Sequence, residues 1–162
     1  MKCTKTHLED YIEGLYKYMD ILDPLHLNKN VVSQRLSIIL IHAPMNSMHA
    51  SNSIVIDSRL NDKKQWQEFG HELCHTLWHG ANQRVMNKSF LSYQEWKADS
   101  FSMHFCVPTF MLDKIDFPVN KFEAIGLIAN DFGVEFDFAE KRLEKWLLQK
   151  ESQNVYSRSI GF

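Results

Sequence analysis

The stretch Gly70-His71-Glu72-Leu73-Cys74-His75 constrains this chain more than any other, because an H-E-x-x-H spacing brings its groups together only on a helix. A helix turns about 100° and rises about 1.5 Å per residue, so His71 and His75 lie roughly 40° and about 6 Å apart on one face. Both imidazoles can reach one metal. Glu72 is rotated about 100° from His71, off the ligand axis yet close enough to touch a water on that metal, which is the place for a general base. Trp66, Phe69, Leu73 and Leu77 recur at three- and four-residue steps and draw an amphipathic helix from about 62 to 79. Asn61 or Ser58 can cap its start and Gly80 its end. Two imidazoles and a carboxylate suit a divalent metal, zinc first.

The 162 residues are most simply one domain, and a hydrophobic content of 44% is enough for an ordinary core. A net charge of −2 excludes a global field for nucleic acid or an anionic membrane. No apolar run approaches the roughly 20 residues that span a bilayer. Three cysteines, Cys3, Cys74 and Cys106, with no apolar leader after Met1, read as a cytoplasmic chain. Cys74 lies at an angle that raises the question of metal ligation. A small side chain packed beneath the site is the simpler reading.

Taken in order, Leu8, Ile12, Leu15, Met19 and Leu22 predict a first helix from Lys5 to about Leu22, ended by Asp23-Pro24. A short helical stretch over 30–36 leads into two β-rich runs, Ser37 to His42 and Ser53 to Asp57, which read as a small antiparallel sheet. Ile54 to Asp57 is expected to be the sheet edge beside the metal helix, where it could receive an extended substrate. His42 and His49 flank the polar connection and read as exposed loop histidines. A polar loop over 81–91 precedes a helix expected from near Ser92 to Val107, before Pro108.

The last third predicts a helix pair over about 119–149 around the turn Phe132-Gly133-Val134. Its second helix sets Glu135, Asp137, Glu140 and Glu144 against Lys141, Arg142, Lys145 and Lys150, so it brings no net positive charge to a phosphate backbone. The pair reads as a packing unit. The tail from Ser152 to Phe162 either docks back or frays.

A catalytic zinc needs a third protein ligand and an open position. The H-E-x-x-H-x-x-G-x-x-H arrangement is excluded, since Trp78 and Ala81 stand where it needs glycine and histidine. His79 lies about 6 Å beyond His75, too far to close the same site. Glu95, twenty residues after His75, heads the carboxylate candidates, with Asp99 one turn further on. Ser92-Tyr93-Gln94-Glu95 also spells a capping box, in which Glu95 would only satisfy a helix end. Against that, Glu95 and Asp99 share a stripe with Ala98 and Ser102, so one could meet a metal and the other a ligand N–H.

His71-Glu72-Leu73-Cys74-His75, then Glu95-Trp96-Lys97-Ala98-Asp99-Ser100-Phe101-Ser102 and Pro108, resemble the ImmA/IrrE-type metallopeptidases of bacteria, phages and mobile elements over roughly residues 50 to 145. The resemblance implies an α+β, mostly helical zincin-like domain, with His71, His75 and Glu95 as zinc ligands. It makes Glu72 the catalytic carboxylate and Asp99 an outer group that orients a ligand. Cys74 and Lys97 depart from it, since family members usually carry glycine at the first position and often a second acid at the other. It also implies a protein substrate, a helix-turn-helix repressor encoded nearby. Tyr93, His42, His49 and His104 all remain open as the group that steadies an oxyanion. A deformylase-like site would need a cysteine well upstream, and none lies between Cys3 and Cys74. A non-cleaving anti-repressor or toxin-antitoxin partner with a structural metal is the reading from a different class.

Overall fold

The computed structural model describes residues 5–78 and 87–160, with side chains as far as Gln153. It opens with α1 (His7–Tyr18), started by a capping box: the Glu9 N–H donates to Thr6 Oγ1 at 3.3 Å, and the Thr6 N–H donates to Glu9 Oε2 at 2.7 Å. The helix stops at Tyr18, short of the expected Leu22. Asp20 enters the left-handed region (φ 56°), and the Ile21 N–H turns back to the Tyr16 carbonyl at 3.0 Å. A 3₁₀ turn (Pro24–His26) leads to α2 (Lys29–Arg35), which ends the same way, with Ser37 at φ 56° and the Ile38 N–H on the Ser33 carbonyl at 2.8 Å. That reversal launches β1 (Ile39–Ala43).

The sheet has three strands among the described residues, β1, β2 (Met48–Ala50) and β3 (Ser53–Asp57), in the order β1-β3-β2. Two expectations are corrected here. The two strands read as an antiparallel pair run parallel, from Ile39↔Ser53 to Ala43↔Asp57, and β3 is central rather than an edge. The cause is the connection over 44–52, which is no simple hairpin. It crosses the end of the sheet, lays β2 antiparallel on the far side of β3, and returns through a two-residue turn with Ser51 at φ 52°. The edge beside the metal-motif helix is therefore β2.

That helix, α3 (Asp62–Trp78), starts where Asn61 Oδ1 accepts from the Lys64 N–H at 2.9 Å. It packs on β3 through the inward Ile54 and Ile56, both fully buried. Its broadest interface among the described elements is with α4 (Lys88–Cys106). Asn87 caps α4 by accepting from the Phe90 N–H at 2.8 Å, so α4 begins four residues before Ser92. A short α5 (Thr109–Leu112) follows Pro108, then α6 (Lys121–Asp131) and α7 (Phe136–Ile160). Gly133 (φ 63°) makes the expected turn between the last two. Neither glycine nor proline occurs between Gly133 and Gly161, so nothing stops α7 at Gln149, and it continues to Ile160. Cys3, His79, the stop at Gly80, the 81–86 part of the polar loop and residues 161–162 lie outside the described residues. Among the described residues no helix is long and apolar enough to cross a membrane. The whole is α+β and mostly helical.

Arg142, counted in the sequence among the basic residues that balance the acids of the last helix, is wholly buried. Its Nε donates to the Val107 carbonyl at 3.0 Å and its Nη2 to Thr109 Oγ1 at 2.7 Å. The Thr109 hydroxyl in turn donates to Glu9 Oε1 at 2.6 Å, and Gln149 donates to Glu9 Oε2 at 2.9 Å. One hydroxyl thus joins α1, α5 and α7. Burial alone would raise the Glu9 pKa, but the donors Thr109, Thr6 and Gln149 outweigh it and hold the carboxyl down to about 2. The stabilisation from this depressed group is present above its unfolded value and is lost as pH falls from about 4.5 toward 2. Acid unfolding of Glu9→Gln should accordingly be flatter than that of the native protein across that window, with a difference of about 3 kcal/mol at most, read from denaturant midpoints at stepped pH.

Candidate active site

The site depends on how near α3 can come to α4. Gly70, just before His71, faces α4, and a Cβ there would stand 2.9 Å from both Cys106 Sγ and Ser102 Oγ and 3.4 Å from Ser102 Cα. These neighbours cannot swing away cheaply. Ser102 Oγ donates to the Gln67 carbonyl at 2.8 Å, and the Cys106 thiol donates to the Trp66 carbonyl at 3.5 Å. Small residues on both helices, with two side-chain bonds to the facing backbone, bring the axes together. Phe69 and Leu73 on α3 and Ala98, Phe101 and Phe105 on α4 fill the remaining contact.

At the rim of that contact His71, His75 and Glu95 converge. His71 Nε2 lies 3.1 Å from Glu95 Oε2, His75 Nε2 lies 3.2 Å from Glu95 Oε1, and the two Nε2 atoms are 3.2 Å apart. Glu95 sits in the interior of α4 and caps nothing, because the helix starts at Lys88. His71 Nδ1 lies 2.9 Å from Asp99 Oδ1. A carboxylate can only accept, so Nδ1 carries the proton and donates, which leaves the His71 Nε2 lone pair aimed at its neighbours. A bare lone pair facing a carboxylate and a second ring nitrogen at these distances is repulsive unless a cation is shared among them. The donor atoms all lie within 4.8 Å of one another. Donors about 2.0–2.1 Å from a tetrahedral ion stand about 3.3 Å apart, so the separations fit one small cation. Glu95 is 52% exposed and Asp99 73%, so the cluster opens to solvent, unlike a closed structural site.

Glu72 is buried beside this cluster and is not one of its donors. Its Oε2 is 2.8 Å from His49 Nδ1, and the His49 ring stacks on His75 with centroids 4.7 Å apart and planes 16° from parallel. His49, expected in an exposed loop, is thus a half-buried strand residue at the site. Its three-residue strand is too short to register as a periodic pattern. Gly70 did carry a signal, since a glycine inside a helix costs about 1 kcal/mol against alanine and is retained there for a packing reason.

The other candidates go elsewhere. Tyr93 is exposed and stacks on Trp96, and His42 is exposed on β1. His104 is buried, donates Nδ1–H to the Ser100 carbonyl at 2.8 Å, and has its pKa pushed down to about 4 by burial and by nearby Arg142. Cys74 is buried and outside the cluster. Burial pushes its thiol up to about 12, against the pull of Lys97, so it packs beneath the site as a neutral side chain. Lys97 lies over the rings of Trp78 and Tyr93, 5.5 and 5.4 Å from their centroids.

Two outcomes follow from this geometry. Glu95→Ala should nearly abolish metal retention, whereas Asp99→Ala should weaken it by roughly 10- to 100-fold. Competition titrations with a chelator would read both, and equal losses would mean the two roles are misassigned. Gly70→Ala must part α3 from α4, with an expected loss of about 1–3 kcal/mol from overpacking and weaker metal binding. Unchanged affinity and unchanged melting would reject the close approach as the determinant of the site.

Residues 29–144 match the family model of the IrrE N-terminal-like domain, a peptidase family. The chain is 36% identical over 164 residues to the Bacillus subtilis (strain 168) protein YqaB, whose name describes it as uncharacterized, covering 99% of this chain and 95% of that one. It is 39% identical over 149 residues to the phage-like element PBSX protein XkdA of the same organism, covering 90% of this chain and 75% of the relative. The match includes α3, α4 and every donor of the cluster: this chain belongs to the peptidase family of the IrrE N-terminal-like domain.

Proposed function

We propose that this protein is a cytoplasmic, zinc-dependent endopeptidase that cleaves a helix-turn-helix repressor encoded nearby, and so releases a phage or other mobile element from silencing. The observation that carries the hydrolytic reading is the position of Glu72, beside the His71, His75 and Glu95 donors yet not among them. A purely structural metal has no use for a buried carboxylate at that place. Two imidazoles and a carboxylate suit zinc. Zinc held there supplies Lewis-acid polarisation of a peptide carbonyl and lowers the pKa of water toward about 7.

Glu72 would accept a proton from the attacking water as its oxygen bonds to the carbonyl carbon, and would give that proton to the amine nitrogen as the C–N bond breaks. Asp99 accepts from His71 Nδ1 and so keeps the other nitrogen of that ring turned to the cluster. The outer edge of β2, unpaired among the described residues and packed beside α3, is the main-chain ladder along which an extended substrate segment would lie, in place of the central β3. Similarity to a protein named for the phage-like element PBSX supports the mobile-element setting. The repressor as substrate comes from the resemblance to ImmA/IrrE-type peptidases. Direct contact with nucleic acid is no part of the proposal, since the chain carries net charge −2 and Lys121 on α6 is engaged by Glu140 and Glu144.

Glu72→Gln separates this reading from a stoichiometric anti-repressor. The substitution keeps size and hydrogen-bonding capacity and removes the base, so zinc should stay bound. Co-expressed with the repressor encoded beside it, the native protein should yield defined repressor fragments and the variant none. Equal derepression by both forms, with the repressor intact, would end the hydrolytic reading.

A further inference from the structure

We infer that His49 is a positioning residue for Glu72, a role that rests on the peptidase reading above. His49 is the middle residue of β2, and its neighbours Met48 and Ala50 are exposed while His49 itself is turned inward. Its Nδ1 is 2.8 Å from Glu72 Oε2, and its ring lies flat on that of His75, one turn further along α3. A single side chain therefore touches both the base and a metal donor. Since a carboxylate only accepts, Nδ1 carries the proton and donates to Oε2. That bond selects one orientation of a flexible three-torsion side chain and leaves Oε1 to meet the water.

The strand that carries His49 is fixed at both ends. In the turn after β2, Asn52 Nδ2 donates to the Ser37 carbonyl at 2.6 Å, and the Ile39 N–H donates to the Asn52 carbonyl at 3.0 Å. Before β2, Ser47 Oγ accepts from the Asp57 N–H at 3.1 Å. The ladder partner of His49 is Ile54, which is fully buried against the core. His49 is thus held by the sheet, while Glu72 and His75 are held by α3. The contact between them sets the base against the strand edge where a substrate would lie.

Two measurements on the full-length protein test this. In long-range ¹H–¹⁵N spectra near pH about 8, where a free imidazole is neutral, His49 should be the Nδ1–H tautomer with and without zinc. Its Nδ1 proton should move on Glu72→Ala. The Nε2–H tautomer, or indifference to Glu72→Ala, overturns the inference whether or not the protein cleaves anything.

The second measurement is turnover of the neighbouring repressor. His49→Ala and His49→Phe should lower kcat by about 10- to 100-fold with KM, zinc content and melting temperature retained. His49→Asn places an amide nitrogen where Nδ1 stands and should restore most of the rate, whereas His49→Gln, which mimics Nε2, should not. Equal impairment of Asn and Gln, or a change confined to KM, overturns the positioning role. Failure of the native protein to cut the repressor would strike the peptidase reading instead, and the tautomer would still decide this one.

Discussion

The approach of α3 to α4 at Gly70 is the constraint on which the rest of the molecule depends. The candidate metal donors come from two helices, so their separation is set by how close the helix axes lie, and that distance is set by what a Cβ at residue 70 would strike. A few tenths of an ångström at that point reappear at the rim, where Glu95 has to meet both Nε2 atoms at 3.1 and 3.2 Å. Interiors packed to crystal-like density transmit such displacements rather than absorbing them. The hydrogen bonds from Ser102 and Cys106 to the α3 backbone hold the two helices in register along the contact as well as in depth.

Charge explains why the site's groups divide their roles. Asp99 and Glu95 stand one turn apart on α4 and both meet His71, one at each ring nitrogen. The ring transmits the effect of the first acid to the second, because a proton fixed on Nδ1 makes Nε2 a donor of electrons to the cluster. Glu72 escapes this competition because His49 engages it from the sheet side. Three carboxylates within one small region thus meet different ring nitrogens: Asp99 the His71 Nδ1, Glu95 the two Nε2 atoms and Glu72 the His49 Nδ1.

The sequence was most legible where chemistry and periodicity coincide. The helix through His71 and His75, the stripe of Glu95 and Asp99 and the turn at Gly133 could all be read because each has a spacing with a physical cause. Sheet topology was not legible, since β-branched runs specify strands but not which neighbour they pair with, and β2 is too short to leave a pattern. The end of α1 before Asp20 was hidden for a different reason: the left-handed position there is held by a residue other than glycine. Arg142 could not be distinguished from the charged residues around it, because its burial is decided by α1 and α5, which are distant in sequence.

The shared hydroxyl of Thr109 has a consequence for biosynthesis. Its partner Glu9 precedes it by 100 residues, and its partner Arg142 follows it by 33. The first of the described helices to leave the ribosome therefore carries a carboxylate whose burial must wait for Thr109, and the node closes only when α7 has also emerged. Contacts of such sequence separation form late and slowly compared with local helix pairs. The α3 and α4 pair that carries the candidate metal donors has been synthesised by then. Pairing of the helices that carry the candidate donors and closure of the core can accordingly be successive events in the life of a newly made chain.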